Sequence, residues 1–176
     1  MDLGDDDVRD AAIDLANQLC AFAAGRLGNE FIGFYLLGSL AHGGFNRRYS
    51  DIDVALITEN GVDEDFLKVL QVEAEVIDPA LAYKVSLFWS DSKFSVGRFP
   101  PLDRLDYIEH AIALREDKKI IAPKPEFAEI RDYLRGAPFE QWANRGTVFS
   151  RQSELDINDQ KFFLRTHLYP TDLLLA

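Results

Sequence analysis

Residues 38–53 read GSLAHGGFNRRYSDID, between the apolar runs Phe31–Leu37 and Ile52–Ile57. A strand alternates its side chains between two faces, so Asp51 and Asp53 point the same way, roughly 7 Å apart along the chain. Two carboxylates that close repel, and an apolar sheet does not hold them without compensation. Two sources of compensation are open. One is a neighbouring cation, and Arg47 and Arg48 are near in sequence. The other is a hard divalent ion, which prefers carboxylate oxygen and suits Mg²⁺ bridging to phosphate. Upstream, Gly38 ends a buried strand without a Cβ, so a phosphate can approach the backbone. Ser39 adds a hydroxyl, and the SLAHG stretch can open a helix whose free N–H groups attract anions. One half of the stretch therefore offers donors to a phosphate, and the other offers carboxylates to the metals that neutralise it.

The flanking sequence supplies a sheet to carry this junction. The segment 3–28 is expected to be a helix, with Asp5, Asp6 and Asp7 near its positive end and Val8, Ala12, Leu15, Leu19 and Phe22 on one face. Phe31–Leu37 has the continuous apolarity of a strand covered on both sides, and Asp51–Thr58 reads as a second strand. A helix follows with Phe66, Val69, Leu70, Val76 and Ile77 inward, ending before Pro79. Ala82–Ser90 is a third strand candidate. Pro100–Leu114 is a helix with Leu102, Leu105, Ile108 and Ile112 along one side, and 118–123 is a short edge strand. Residues 125–136 close with a helix, and 161–169 read as a last strand. The expectation is an α/β (α+β) protein: a mixed β-sheet flanked by helices in a single domain over 1–136, with an extension over 137–176 packed on it.

Composition narrows the function. The 176 residues suit one domain with a substantial core. The net charge of −11 argues against gripping duplex nucleic acid, which needs a basic face. It leaves open a nucleotide held through metal ions. The single Cys20 forms no internal disulfide and fits a reducing compartment, most simply as a core residue. No apolar run reaches membrane-spanning length and no leader pattern is visible, so the expected location is the cytoplasm.

The stretch YLLGSLAHGGFNRRYSDIDVALI, residues 35–57, resembles the nucleotidyltransferase superfamily that includes DNA polymerase beta. It is most similar to the small minimal and aminoglycoside-type branch. The likeness is strong over residues 31–58 and loose, in the order of strands and helices, as far as Pro123. What it implies is transfer of a nucleoside monophosphate from a nucleoside triphosphate, with ATP the expected donor, to a hydroxyl of an acceptor. Gly38 and Ser39 would hold the triphosphate; from their place in the sequence alone, His42 in the turn and Arg48 before Asp51 are further candidates to contact its phosphates. Asp51 and Asp53 would bind two Mg²⁺ ions, with pyrophosphate leaving.

The family's third carboxylate comes from a later strand, yet here its central position is Ser86. Asp91 at the strand end is the nearest acid and the first choice, with Asp78, Asp103 and Asp106 as rivals. His42 also departs from the Arg that many small relatives carry there. The acceptor is a small molecule or a protein, and a helical partner protein or a homodimer fits the branch. The alternative reading is a catalytically degenerate domain that acts as an antitoxin-like or partner-binding module. His110 and His167 fit no metal spacing, Trp89 reads as core, and Trp142 lies in a tail able to cover a cleft.

Overall fold

The computed structural model describes residues 5–46 and 50–136. Five strands form one mixed sheet: β1 (Phe31–Leu36), β2 (Ile52–Thr58), β3 (Val85–Asp91), β4 (Gly97–Arg98) and β5 (Ile112–Glu116), in the order β4-β3-β2-β1-β5. The pairs β1–β2, β1–β5 and β3–β4 are antiparallel and β2–β3 is parallel. The helices are α1 (Asp5–Leu27), α2 (Gly38–Ala41), α3 (Glu64–Ile77), α4 (Pro101–His110) and α5 (Phe127–Arg135). Among the described residues, no helix is long and apolar enough to cross a membrane.

β1 and β2 are buried on both faces, which explains why neither alternates polar with apolar residues. On one face, Phe34, Leu36, Val54 and Leu56 meet Leu15, Leu19 and Ala23 of α1 together with Leu70 and Ala74 of α3. α1 can lie close because small residues (Ala12, Ala16, Ala23) stand in its buried stripe. α3 begins where Asp63 caps it, its Oδ1 accepting the Phe66 N–H at 2.8 Å. On the other face Ile32, Tyr35, Leu37, Ala55, Ile57 and Phe88 form a second cluster. Tyr107 of α4 packs there with Phe94 and Phe99, and the Tyr35 and Tyr107 rings meet edge to face at 4.9 Å. Cys20 is buried as expected, and desolvation raises its thiol pKa.

Two sequence expectations change at the C-terminal side of this body. The helix read through Leu114 ends at His110, and Ile112–Glu116 is the edge strand, pairing with β1 from Gly33↔Glu116 to Leu36↔Ile112. Segment 118–123, expected as the edge strand, forms none. The open flank of β1 took the first extended segment after the helix, with Tyr35 Oη donating to Glu116 Oε1 at 3.0 Å across the new pair. The strand β4 was not anticipated; it is two residues long. Residues up to Pro125 form one compact body, and α5 belongs to a separate unit beginning at Glu126. The expected extension over 137–176, with its strand and Trp142, lies outside the described residues.

Leu56 of β2 is fully buried in the cluster that the sheet forms with α1 and α3. Leu56→Ala is expected to cost ~2–5 kcal/mol in denaturant unfolding, against about 1 kcal/mol for loss of the α3 cap in Asp63→Ala. A cost for Leu56→Ala no larger than that of the cap would contradict this packing.

Candidate active site

β1 and β2 run antiparallel with Leu36 opposite Val54, so the chain leaves β1 beside the start of β2. The Leu37 N–H donates to the Asp53 carbonyl at 2.9 Å, extending the ladder by one bond. That bond sets Gly38 directly against Asp53. Gly38 adopts φ +56°, and a Cβ there would run into Asp53 Oδ2. Both the backbone angle and the space exclude a side chain, which is the reason for glycine at this position.

Asp53 lies on the α4 face of the sheet with Ala55 and Ile57, and its parallel neighbour is Ser86 of β3. The Ser86 hydroxyl donates to its carboxylate. Asp51 stands exposed just before β2, on the same side by strand alternation. Its approach is held by Lys84, a buried lysine whose Nζ donates to the Ser50 carbonyl at 2.9 Å. From above, α4 brings Asp103 and Asp106. Desolvation pushes the Asp53 carboxyl up to about 6, followed by the charges of Asp51 and Asp103, with Asp106 adding to them and Ser86 opposing. Desolvation also raises Asp103, and Asp106 reinforces it.

Gly38 and Ser39 open α2 at the edge of this carboxylate group. The Gly38 N–H is used: it donates to Asp106 Oδ2 at 2.9 Å. Asp106 Oδ1 in turn accepts from His42 Nε2 at 2.7 Å. The Ser39 hydroxyl is buried and has no hydrogen-bond partner among the described residues. A buried donor without a partner costs free energy, so such a group is a place for a ligand to bind.

The structure thus brings together Gly38, Ser39, His42, Asp51 and Asp53. It leaves Asp91 elsewhere. Asp91 pairs with Thr58 at the far end of β3, five residues beyond Ser86, which is ~16 Å along a strand. Its carboxylate is also committed to a turn. Oδ1 accepts the Ser95 N–H at 2.7 Å and the Val96 N–H at 3.0 Å, and Oδ2 accepts the Ser95 hydroxyl at 2.7 Å. Burial alone would raise its pKa, but these bonds outweigh it and hold the carboxyl below the usual range. The acids whose charges act on Asp53 are the former rivals Asp103 and Asp106, three residues apart on α4 and so side by side on one face of that helix. Arg47 and Arg48 lie outside the described residues.

β1, the short helix α2 and then β2, with Asp51 just before that strand and Asp53 in it, form part of a mixed sheet whose fold has a solved counterpart. That fold is shared with the spectinomycin adenyltransferase AAD(9) from Enterococcus faecialis, solved with ATP and spectinomycin. The two align with a TM-score of 0.53 at 14% identity, over 76% of this chain and 67% of that one. Two weaker matches are a toxin-antitoxin complex with AMP-PNP and a mutant of the toxin-antitoxin pair MntA-HpeT. Their TM-scores are 0.42 and 0.41 and their identities 16% and 12%, each over 77% of this chain and 96% of that one. By sequence, no family model and no curated protein matches. The likeness is one of fold, and it agrees with the resemblance carried by residues 31–58.

The raised Asp53 pKa has a measurable consequence. The folded protein holds this proton more tightly than the unfolded chain, whose carboxyl titrates near 3.8. The Asp53 contribution is therefore most favourable below ~4 and is lost as pH rises through about 6, a difference of up to ~3 kcal/mol. Asp53→Asn is expected to raise Tm in metal-free buffer at pH 7.5, with the gain shrinking as pH is lowered toward 4. An equal effect of Asp53→Asn at both pH values would contradict the assignment.

Proposed function

We propose that this chain is a nucleotidyltransferase that moves a nucleoside monophosphate from a nucleoside triphosphate, ATP in the first instance, to an acceptor hydroxyl. The observation that carries the proposal is the convergence of Asp51, Asp53 and Asp103 at the start of the central strand β2, beside a Ser39 hydroxyl with no partner among the described residues. A desolvated carboxylate faced by two others, as Asp53 is, favours a cation at neutral pH, and a set made only of carboxylate oxygens suits Mg²⁺. Asp51 and Asp53 would hold the metal, with Asp103 of α4 as the third acid in place of Asp91. When bound, divalent ions neutralise charge on the phosphates and lower the pKa of the attacking hydroxyl.

The remaining work belongs to the chain. Ser39 donates its free hydroxyl to a phosphate oxygen. Gly38 presents its N–H, which the Asp106 carboxylate already uses as an anion site. Asp106 must give up that bond for phosphate to take it, and His42 is placed to follow either anion. The Ser86 hydroxyl orients Asp53. The acceptor is a small molecule or a partner protein carrying a nucleophilic hydroxyl, and the acidic surface favours a cationic one.

One observation favours the second reading, a degenerate module that binds a partner. It is the same Asp106 carboxylate seated on the Gly38 N–H, which places negative charge where a phosphate would go. Calorimetry with a non-hydrolysable ATP analogue separates the two. The enzyme reading expects binding that requires Mg²⁺ and weakens at least 10-fold in Asp53→Asn, a loss of about 1.4 kcal/mol or more. No binding of any nucleoside triphosphate by the wild-type protein would overturn it and leave the module.

A further inference from the structure

A second donor set lies beside the carboxylates, and it has a different chemistry. Asp106 and His110 are four residues apart on α4, so both project from one face of that helix. His42, in the turn that closes α2, reaches the same face from the opposite side. Its Nε2 lies 2.7 Å from Asp106 Oδ1, and its ring meets the His110 ring at 4.7 Å with the planes 74° apart. One nitrogen from each histidine and one oxygen of Asp106 all fall within 4.8 Å of one another. His42 and His110 are exposed and Asp106 is half-buried, so ions and water have access.

We propose that His42, Asp106 and His110 form a binding site for a borderline divalent cation of the zinc class. A hydrogen bond accounts for the contact between His42 and Asp106, yet not for a second imidazole brought to the same point from the next turn of α4. Two imidazoles and one carboxylate are a donor set that zinc, cobalt and nickel accept and that magnesium does not favour. Three protein ligands leave one tetrahedral position for water, as in open rather than structural sites. The second carboxylate oxygen is already fixed by the Gly38 N–H at 2.9 Å, the kind of outer hydrogen bond that orients a ligating group. A cation here would tie the α2 turn to α4. The proposal rests on this geometry and not on the nucleotide reading.

The test is a titration of tag-free, metal-free protein with Co²⁺, followed by its visible d–d absorption, in the presence of excess Mg²⁺ to saturate the carboxylates. Expected is an intense band reaching its limit at one equivalent and lost when Zn²⁺ is added. It should persist in Asp53→Asn and fall by roughly 100-fold in affinity in His110→Ala, a change on an exposed face whose folding circular dichroism can verify. No band in the wild-type protein would overturn the proposal, as would a band of unchanged affinity in His110→Ala. A band abolished by Asp53→Asn would place the ion on the Asp51–Asp53 edge and overturn it too. Calorimetry of Mg²⁺ and nucleotide binding, run on the same variants, reads the other site separately.

Discussion

Everything at the working edge of this protein depends on a glycine lying flat against an aspartate. The hydrogen bond from Leu37 to the Asp53 carbonyl ends one strand and begins the next, and Gly38 must then turn with a positive φ over the Asp53 carboxylate. The turn aims the start of α2, with the Ser39 hydroxyl, at the same corner of the sheet that carries the acids. Any side chain at 38 would move either the helix or the carboxylate. The sheet supplies the rigidity for this arrangement, since both strands that meet there are buried on both faces by α1 and α3 on one side and the aromatic cluster under α4 on the other.

That corner carries an electrostatic load. Asp53 is desolvated and faces Asp51, Asp103 and Asp106, while Ser86 offers a hydroxyl where a carboxylate would have added a further charge. Hydrogen bonds to Asp106 from Gly38 and His42 meet part of this load. A divalent cation would relieve the rest. The same carboxylate, Asp106, sits on the boundary between the oxygen-only donors at the start of β2 and the imidazole donors of His42 and His110. One residue of α4 would thereby join the two proposed sites, which differ in metal preference.

Much of this was legible before the fold. The GSLAHGG…SDID stretch determines the two central strands and the turn between them, because an apolar run, a glycine and alternating aspartates have few ways to satisfy sterics and charge together. α1 was equally plain from helical spacing, and so was the position of α3, but Val69 and Val76, expected inward, are exposed, and Leu70 and Ala74 carry its buried face. What sequence could not supply was which later acid approaches Asp53. Asp91 is nearest in the expected strand, but a parallel register places Ser86 opposite Asp53 and carries Asp91 to the other end, where its turn absorbs it. Asp103 and Asp106 arrive through the path of the chain around β4 and α4, and no local pattern encodes that path. Ile112 misled for a related reason. It continues the apolar side of α4, yet the open flank of β1 captures it as a strand. The histidine cluster did leave one trace, the spacing of Asp106 and His110 on a single helix face. Its third member is distant in sequence and only the fold brings it in.

The most direct measurement is anomalous diffraction from crystals grown with Mn²⁺ and a non-hydrolysable ATP analogue. The account predicts an anomalous peak held by Asp51 and Asp53, a phosphate oxygen on the Ser39 hydroxyl, and the Asp106 carboxylate displaced from the Gly38 N–H. A nucleotide bound away from Gly38 and Ser39, or a metal that makes no contact with Asp53, would contradict it.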